Sequence, residues 1–193
     1  GAASWAGSAV AGRTRLGRWP TFGGAQFPAV TVFMDGFADG VNAYNQGKGA
    51  SVQVLGWDKE AQTGACTDSF DDQSLGLQQA QQCISEGADS IMPVAGPVGL
   101  GAAAAAKSSG NTLIVGVDTD WYEANPQYSS IVLTSVRKEI GAAVEQAIQD
   151  STKGKFTSDP YVGTLAHGGV SLAPFHDFEA QVPMEVTQEI SKM

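Results

Sequence analysis

Two stretches constrain the fold of this chain more than any others. They are Ile91-Met92-Pro93-Val94-Ala95-Gly96-Pro97-Val98-Gly99-Leu100-Gly101 and Val115-Gly116-Val117-Asp118-Thr119-Asp120. Each is an apolar run that passes straight into a glycine-rich or polar loop. In a parallel α/β sheet, loops at the carboxyl ends of strands are where small ligands bind. Two such loops, one strand apart, point to a site for a polar small molecule. They do not say whether the molecule is transformed or only held.

The surrounding sequence alternates in the same way. Phe22-Gly23-Gly24 reads as a strand end and turn, and Pro28 can open a helix. Phe33, Phe37, Val41 and Tyr44 fall on one helical face, which Gly47 and Gly49 end. Residues 51–55 read as a strand. Asp71 or Asp72 caps a helix with Leu77, Ala80 and Ile84 on its apolar face, closed by Gly87. Strands are expected at 89–94, 112–117 and 131–135, a short helix at 100–107, and a polar aromatic loop at 119–130. Val136, Ile140, Val144, Ala147 and Ile148 mark a long amphipathic helix ending near Gly154. Strand–helix alternation repeated this often implies an α/β fold with a doubly wound parallel sheet. Residues 1–20 show no clear period and read as irregular.

The 193 residues are 42% hydrophobic, enough to build a core. The formal net charge of −9 argues against nucleic acid as a partner, because affinity there comes largely from Lys and Arg on phosphates. No segment reaches the roughly 20 apolar residues that span a bilayer. The opening Gly1-Ala2-Ala3-Ser4-Trp5 lacks a charged start and a long apolar run, and Met is not first, so the chain reads as a fragment. Cys66 and Cys83 without a His cluster are not a zinc site, whether paired or free. His167 and His176 have no sequence-local partners and read as loop or core residues. No cofactor and no metal is expected.

Several residues could carry binding. Gly99-x-Gly101-x-x-Ala104 matches a relaxed dinucleotide fingerprint, with acidic residues near the end of the next strand. Against it, two βα units precede the loop, and Pro97 removes a donor N–H; a loop around a neutral polar ligand is the simpler reading. Lys107 lacks the spacing of a phosphate loop and reads as a solvated helix end. Asp118, at a strand's carboxyl end, can accept two hydrogen bonds from a vicinal diol such as a ribose. For Asp120, ligand contact and a loop cap compete. Lys138, read as starting a helix, points at a ligand acceptor or at Asp118, or is an exposed helix-face lysine. Trp57, Trp121, Tyr122 and Phe27 are candidates for stacking on a ring, or else loop anchors and core residues. No arrangement for nucleophilic catalysis is present.

Seven motifs in order resemble the basic membrane protein family, the purine-nucleoside-receptor type of ABC-transporter substrate-binding lipoproteins. They are 21–24, 33–40, 87–89 with 92–99, 116–120, 133–138 and 168–174, covering roughly residues 21–190. The resemblance implies a type I periplasmic-binding-protein lobe and no enzymatic activity. Two lobes would close on a nucleoside, with a membrane permease as partner and a lipid anchor outside this segment. Residues 21–135 would form the second lobe, 136–155 a helix belonging to the first lobe, and 156–193 the return segment. Carried over by position, Met92 stands where many members place a base-stacking ring. Gly96 matches a glycine that approaches the ligand, and Pro97 replaces a frequent second glycine. Asp118 and Lys138 match the pair that binds ribose hydroxyls. Residues 1–20 depart from the family pattern, where a strand should precede Thr21, and suggest an altered reading frame.

Overall fold

The computed structural model describes residues 1–14 and 16–192; Arg15 and Met193 lie outside them. Helix α1 (Ala2–Ala11) leads into strand β1 (Arg18–Gly23), helix α2 (Pro28–Lys48) and strand β2 (Gln53–Leu55). A small hairpin, β3 (Trp57–Asp58) with β4 (Thr63–Gly64), precedes α3 (Gln73–Ser85). Then come β5 (Ser90–Val94), α4 (Val98–Ser109), β6 (Leu113–Asp118) and the short α5 (Trp121–Ala124). Strand β7 (Val132–Lys138), helix α6 (Ile140–Thr152), strand β8 (Val170–Leu172) and helix α7 (Met184–Lys192) complete the order.

One sheet runs β2-β1-β5-β6-β7-β8, parallel throughout except for β8, which pairs antiparallel with β7. The order reverses between β1 and β5, so a crevice opens at the carboxyl ends of these strands. Helix α1 packs on α2 and α3 packs on α4, and the handedness rule for parallel crossovers puts the two pairs on opposite faces of the sheet. The expected doubly wound α/β sheet is present. Strands buried on both faces explain the unbroken apolar runs at β5 and β6, where Ile91, Met92, Ile114 and Val115 are fully enclosed.

Local signals act where the sequence put them. Pro28 sits in the first turn of α2, and Gly49 ends that helix in the left-handed conformation. The Asp72 carboxylate accepts the Ser74 N–H and caps α3.

Two expectations are corrected. Residues 1–20 are not irregular: α1 is a regular helix and β1 begins at Arg18, with Trp19 almost fully enclosed and stacked on Phe37 at 5.9 Å. The buried side of α1 is built from Ala2, Ala3, Ala6, Ala9 and Val10, small enough for close approach to α2, where Ser8 donates to the Gly40 carbonyl at 2.9 Å. The altered reading frame is therefore not needed to account for this segment. Likewise, β7 runs to Lys138 instead of ending at Ser135, because Val136, Arg137 and Lys138 pair with the returning β8. Helix α6 starts only at Ile140.

Candidate functional site

The carboxyl ends of β6 and β7 lie side by side, Asp118 level with Arg137. That register brings Lys138 Nζ to 2.8 Å from Asp118 Oδ1. Their side chains are 36% and 40% exposed, so the pair is open to solvent and to a ligand. Lys138 Nζ also lies 4.7 Å from the centre of the Phe33 ring on α2, a cation–π contact that fixes the ammonium on its inner side. Asp118 itself has φ +72°, a left-handed conformation uncommon for a residue with a side chain. Strained backbone of this kind concentrates at binding sites.

Around the pair is a cavity of about 580 Å³ lined by Asp118, Thr119, Asp120, Arg137, Lys138 and His176, with Glu123, Ala124 and Pro174. Its basic side chains all have carboxylate partners: Lys138 meets Asp118, Arg137 lies 3.3 Å from Glu139, and His176 Nε2 lies 2.9 Å from Asp120. A second, smaller hollow joins Gly96 and Pro97 to Asp118 and Thr119.

The expected residues are thus brought together with one exception. Gly96, Pro97, Asp118, Asp120 and Lys138 share one rim. Met92 does not join them: it points into the core and is fully enclosed, because it pairs in mid-strand with Thr21 of β1. It cannot offer a face to a ring. A different, exposed aromatic connects to Gly96 through one intervening ring. Phe27, just before α2, is 57% exposed and stacks on Phe70 at 6.4 Å and 12°. Phe70 in turn packs against Gly24, where a Cβ would overlap its ring, and lies at ordinary contact distance from Gly96.

The other aromatic candidates anchor loops. Trp57 donates its indole N–H to Asp35 at 2.8 Å, and Trp121 donates to the Val117 carbonyl at 2.9 Å from a buried position. Tyr122 stacks on His176 at 4.0 Å. The negative charge of Asp177 raises the Tyr122 pKa, helped by desolvation and a hydrogen bond from the phenol. His176, expected to be a loop or core residue, is instead part of this rim; its partner Asp120 is 56 residues away, so no local pattern could reveal the pair. Phe70 was equally hidden, since only the fold brings it beside Gly24 and Gly96.

The glycine fingerprint serves packing. A Cβ on Gly99 would strike the Trp121 ring at 2.7 Å, and one on Gly101 would run into the Gln73 carbonyl oxygen of α3. Lys107 is not simply solvated: it donates to the Gln127 carbonyl at 2.6 Å. Cys66 and Cys83 are both free thiols. Among the described residues, no group of three or more His, Cys, Asp or Glu side chains is placed to hold a metal ion, and no helix is long and apolar enough to cross a membrane.

Solved structures with this fold include solute-binding proteins and transcription regulators. An ABC-transporter solute-binding protein from Aeropyrum pernix K1 is 25% identical, with a TM-score of 0.74 over 98% of this chain and 55% of its own length. A transcriptional activator of the comK gene from Bacillus halodurans is 21% identical, TM-score 0.76, over 99% of this chain and 60% of its own. A solute-binding protein from Conexibacter woesei is 19% identical, TM-score 0.69, over 98% and 57%. This chain therefore spans little more than half the length of those structures. No curated protein matches it by sequence. The family described as PnrA-like ABC transporter substrate-binding proteins matches residues 2–192, so the helix and strand at the start fall inside the match, and the chain belongs to that family.

Proposed function

We propose that this chain forms one lobe of the substrate-binding component of an ABC importer, and that it holds a nucleoside in a cleft between two lobes. The observation that carries the reading is the Asp118–Lys138 pair lining the cavity, 2.8 Å apart with both side chains partly exposed. A carboxylate in that position accepts hydrogen bonds from both hydroxyls of a ribose, while the ammonium donates to a third oxygen. Charge-assisted bonds of this type are the stronger class, and they strengthen as a closing lobe removes water. The exposed face of Phe27, backed by Phe70, offers a flat apolar wall for a base. It takes the stacking role that the family resemblance assigned to Met92.

Belonging to a substrate-binding family implies capture and delivery rather than catalysis. Residues 21–135 and 156–193 would make the second lobe and 136–155 would contribute to the first. The assembled protein would work outside the cytoplasm, held by a lipid anchor, and dock on a membrane permease.

Titration calorimetry of the full-length protein with adenosine, guanosine, inosine, cytidine, ribose and NAD tests this. Nucleoside binding that Asp118→Ala weakens by at least about tenfold supports it, the loss expected from removing charge-assisted hydrogen bonds. Binding of NAD alone would restore the dinucleotide reading, and binding of ribose alone would make this a sugar receptor.

A further inference from the structure

We infer that His176 is a positioning residue for ligand capture: through Asp120 it clamps the turn that presents Asp118. The inference rests on the nucleoside reading above. Asp120 uses its two carboxylate oxygens separately. Oδ1 accepts the Tyr122 N–H at 3.1 Å and caps α5, while Oδ2 meets His176 Nε2 at 2.9 Å. The two side chains are only 16% and 11% exposed, far less than the Asp118–Lys138 pair. The imidazole also lies flat on the Tyr122 ring, 4.0 Å and 9° away, and the Tyr122 hydroxyl reaches Asp177 at 3.3 Å.

The segment carrying His176 is itself fixed. Thr134 donates to the Ala173 carbonyl at 2.7 Å, and the Ala173 N–H donates to the Ser135 carbonyl at 2.8 Å. Ser135 Oγ in turn accepts the Trp121 N–H at 3.0 Å. Residues 118–122 are thus tied to β7 directly and through His176. Asp118 and His176 are two of the four non-glycine residues with positive φ among those described. Two strained residues bracket one hydrogen-bonded contact, and a turn held that way relaxes when the contact is cut. Asp120 alone could cap α5; the histidine adds the link to the returning strand.

Two measurements test the clamp. Amide hydrogen exchange on the chain, without ligand, compares wild type, His176→Ala and His176→Gln, since glutamine keeps a donor. Exchange in residues 119–124 is expected to rise about tenfold in the alanine variant, as loss of one such bond implies, and to stay near wild type in the glutamine variant. No change there, or a rise spread evenly over the sheet, would overturn the clamp whatever the ligand is. The second is titration of the full-length protein with adenosine and inosine. His176→Ala should weaken binding about tenfold, and its effect should vanish in an Asp118→Ala background. Independent, additive losses would overturn the claim that His176 acts through the Asp118 turn. If wild type bound no nucleoside, the functional reading would fall, while exchange would still decide the clamp.

Discussion

Gly101 separates two readings of one motif. As part of a dinucleotide fingerprint it would let a pyrophosphate approach the backbone; in the fold it lets α4 approach α3, at the Gln73 carbonyl. Gly101→Ala is therefore expected to destabilise the chain by about 1–3 kcal/mol in urea unfolding, the usual cost of forcing atoms into a packed contact. A neutral outcome would mean that the helices have room to part. Cys83 gives a residue-scale prediction in pH. Burial pushes its thiol from 9.0 to about 11, with Glu86 adding to the rise and Gln79 opposing it. An acid whose pKa rises on folding lends stability that is whole below the unfolded value. Stability should thus fall as pH climbs from about 9 towards 11, and Cys83→Ala should flatten the first part of that fall in alkaline melts. Asp118 was legible in sequence as a residue at a strand's carboxyl end; Lys138 reads as the start of a helix, with a contact to Asp118 one of the alternatives left open, and only the pairing of β7 with β8 puts it at a strand's end. Met92 misled because position in a motif does not show which way a buried strand residue points. His176 was invisible because a contact across 56 residues leaves no periodic trace.

Helix α1 shows why an element can hide in its own sequence. The sequence pattern finds helices by an apolar stripe against a polar face, as in Phe33, Phe37 and Val41 of α2. The buried side of α1 is mostly alanine, and its other positions, Ser4, Trp5 and Ser8, carry no charge, so no stripe of large apolar residues stands out against a charged face. Its contribution lies in distance: Gly7 and Gly40 bring the two helices so close that a Cβ on either would hit the partner's backbone. Deleting residues 1–14 would strip α2 of the helix packed closely on it at Gly36 and Gly40, and with it the enclosed Ala6, Ala9 and Val10. The shortened chain is expected to melt at markedly lower temperature by circular dichroism, or to be recovered only as aggregate. An unchanged melt would return this segment to the irregular tail that its composition suggested. The β7 boundary was misread for a related reason. Val136 fits the helical period of Ile140 and Val144, but β8 captures it by pairing, and a partner strand outweighs local periodicity.

At the scale of the whole molecule, α6 is an amphipathic helix with no buried residue. Ile140, Val144 and Ile148 recur every four residues and are 59%, 51% and 59% exposed. Phe156, Tyr161 and Val162 in the stretch that follows are exposed as well. The stripe is clear in the sequence, where the family resemblance assigns residues 136–155 to the first lobe; what covers it is not, because the chain spans only 55–60% of the similar structures. A continuous apolar surface of this kind drives association, and the net charge of −9 opposes it only over a Debye length of about 10 Å at moderate salt. The 193-residue chain on its own is therefore expected to self-associate in sedimentation velocity, more strongly at 0.5 M salt than at 0.05 M. Val144→Lys with Ile148→Lys should return it to a monomer without lowering its melting temperature, because neither side chain is packed in the fold. A wild-type chain that stays monomeric at high protein concentration and high salt would mean that α6 folds back on its own lobe in solution. A full-length protein that is monomeric while the isolated chain associates would place the cover for this stripe in the remainder of the molecule.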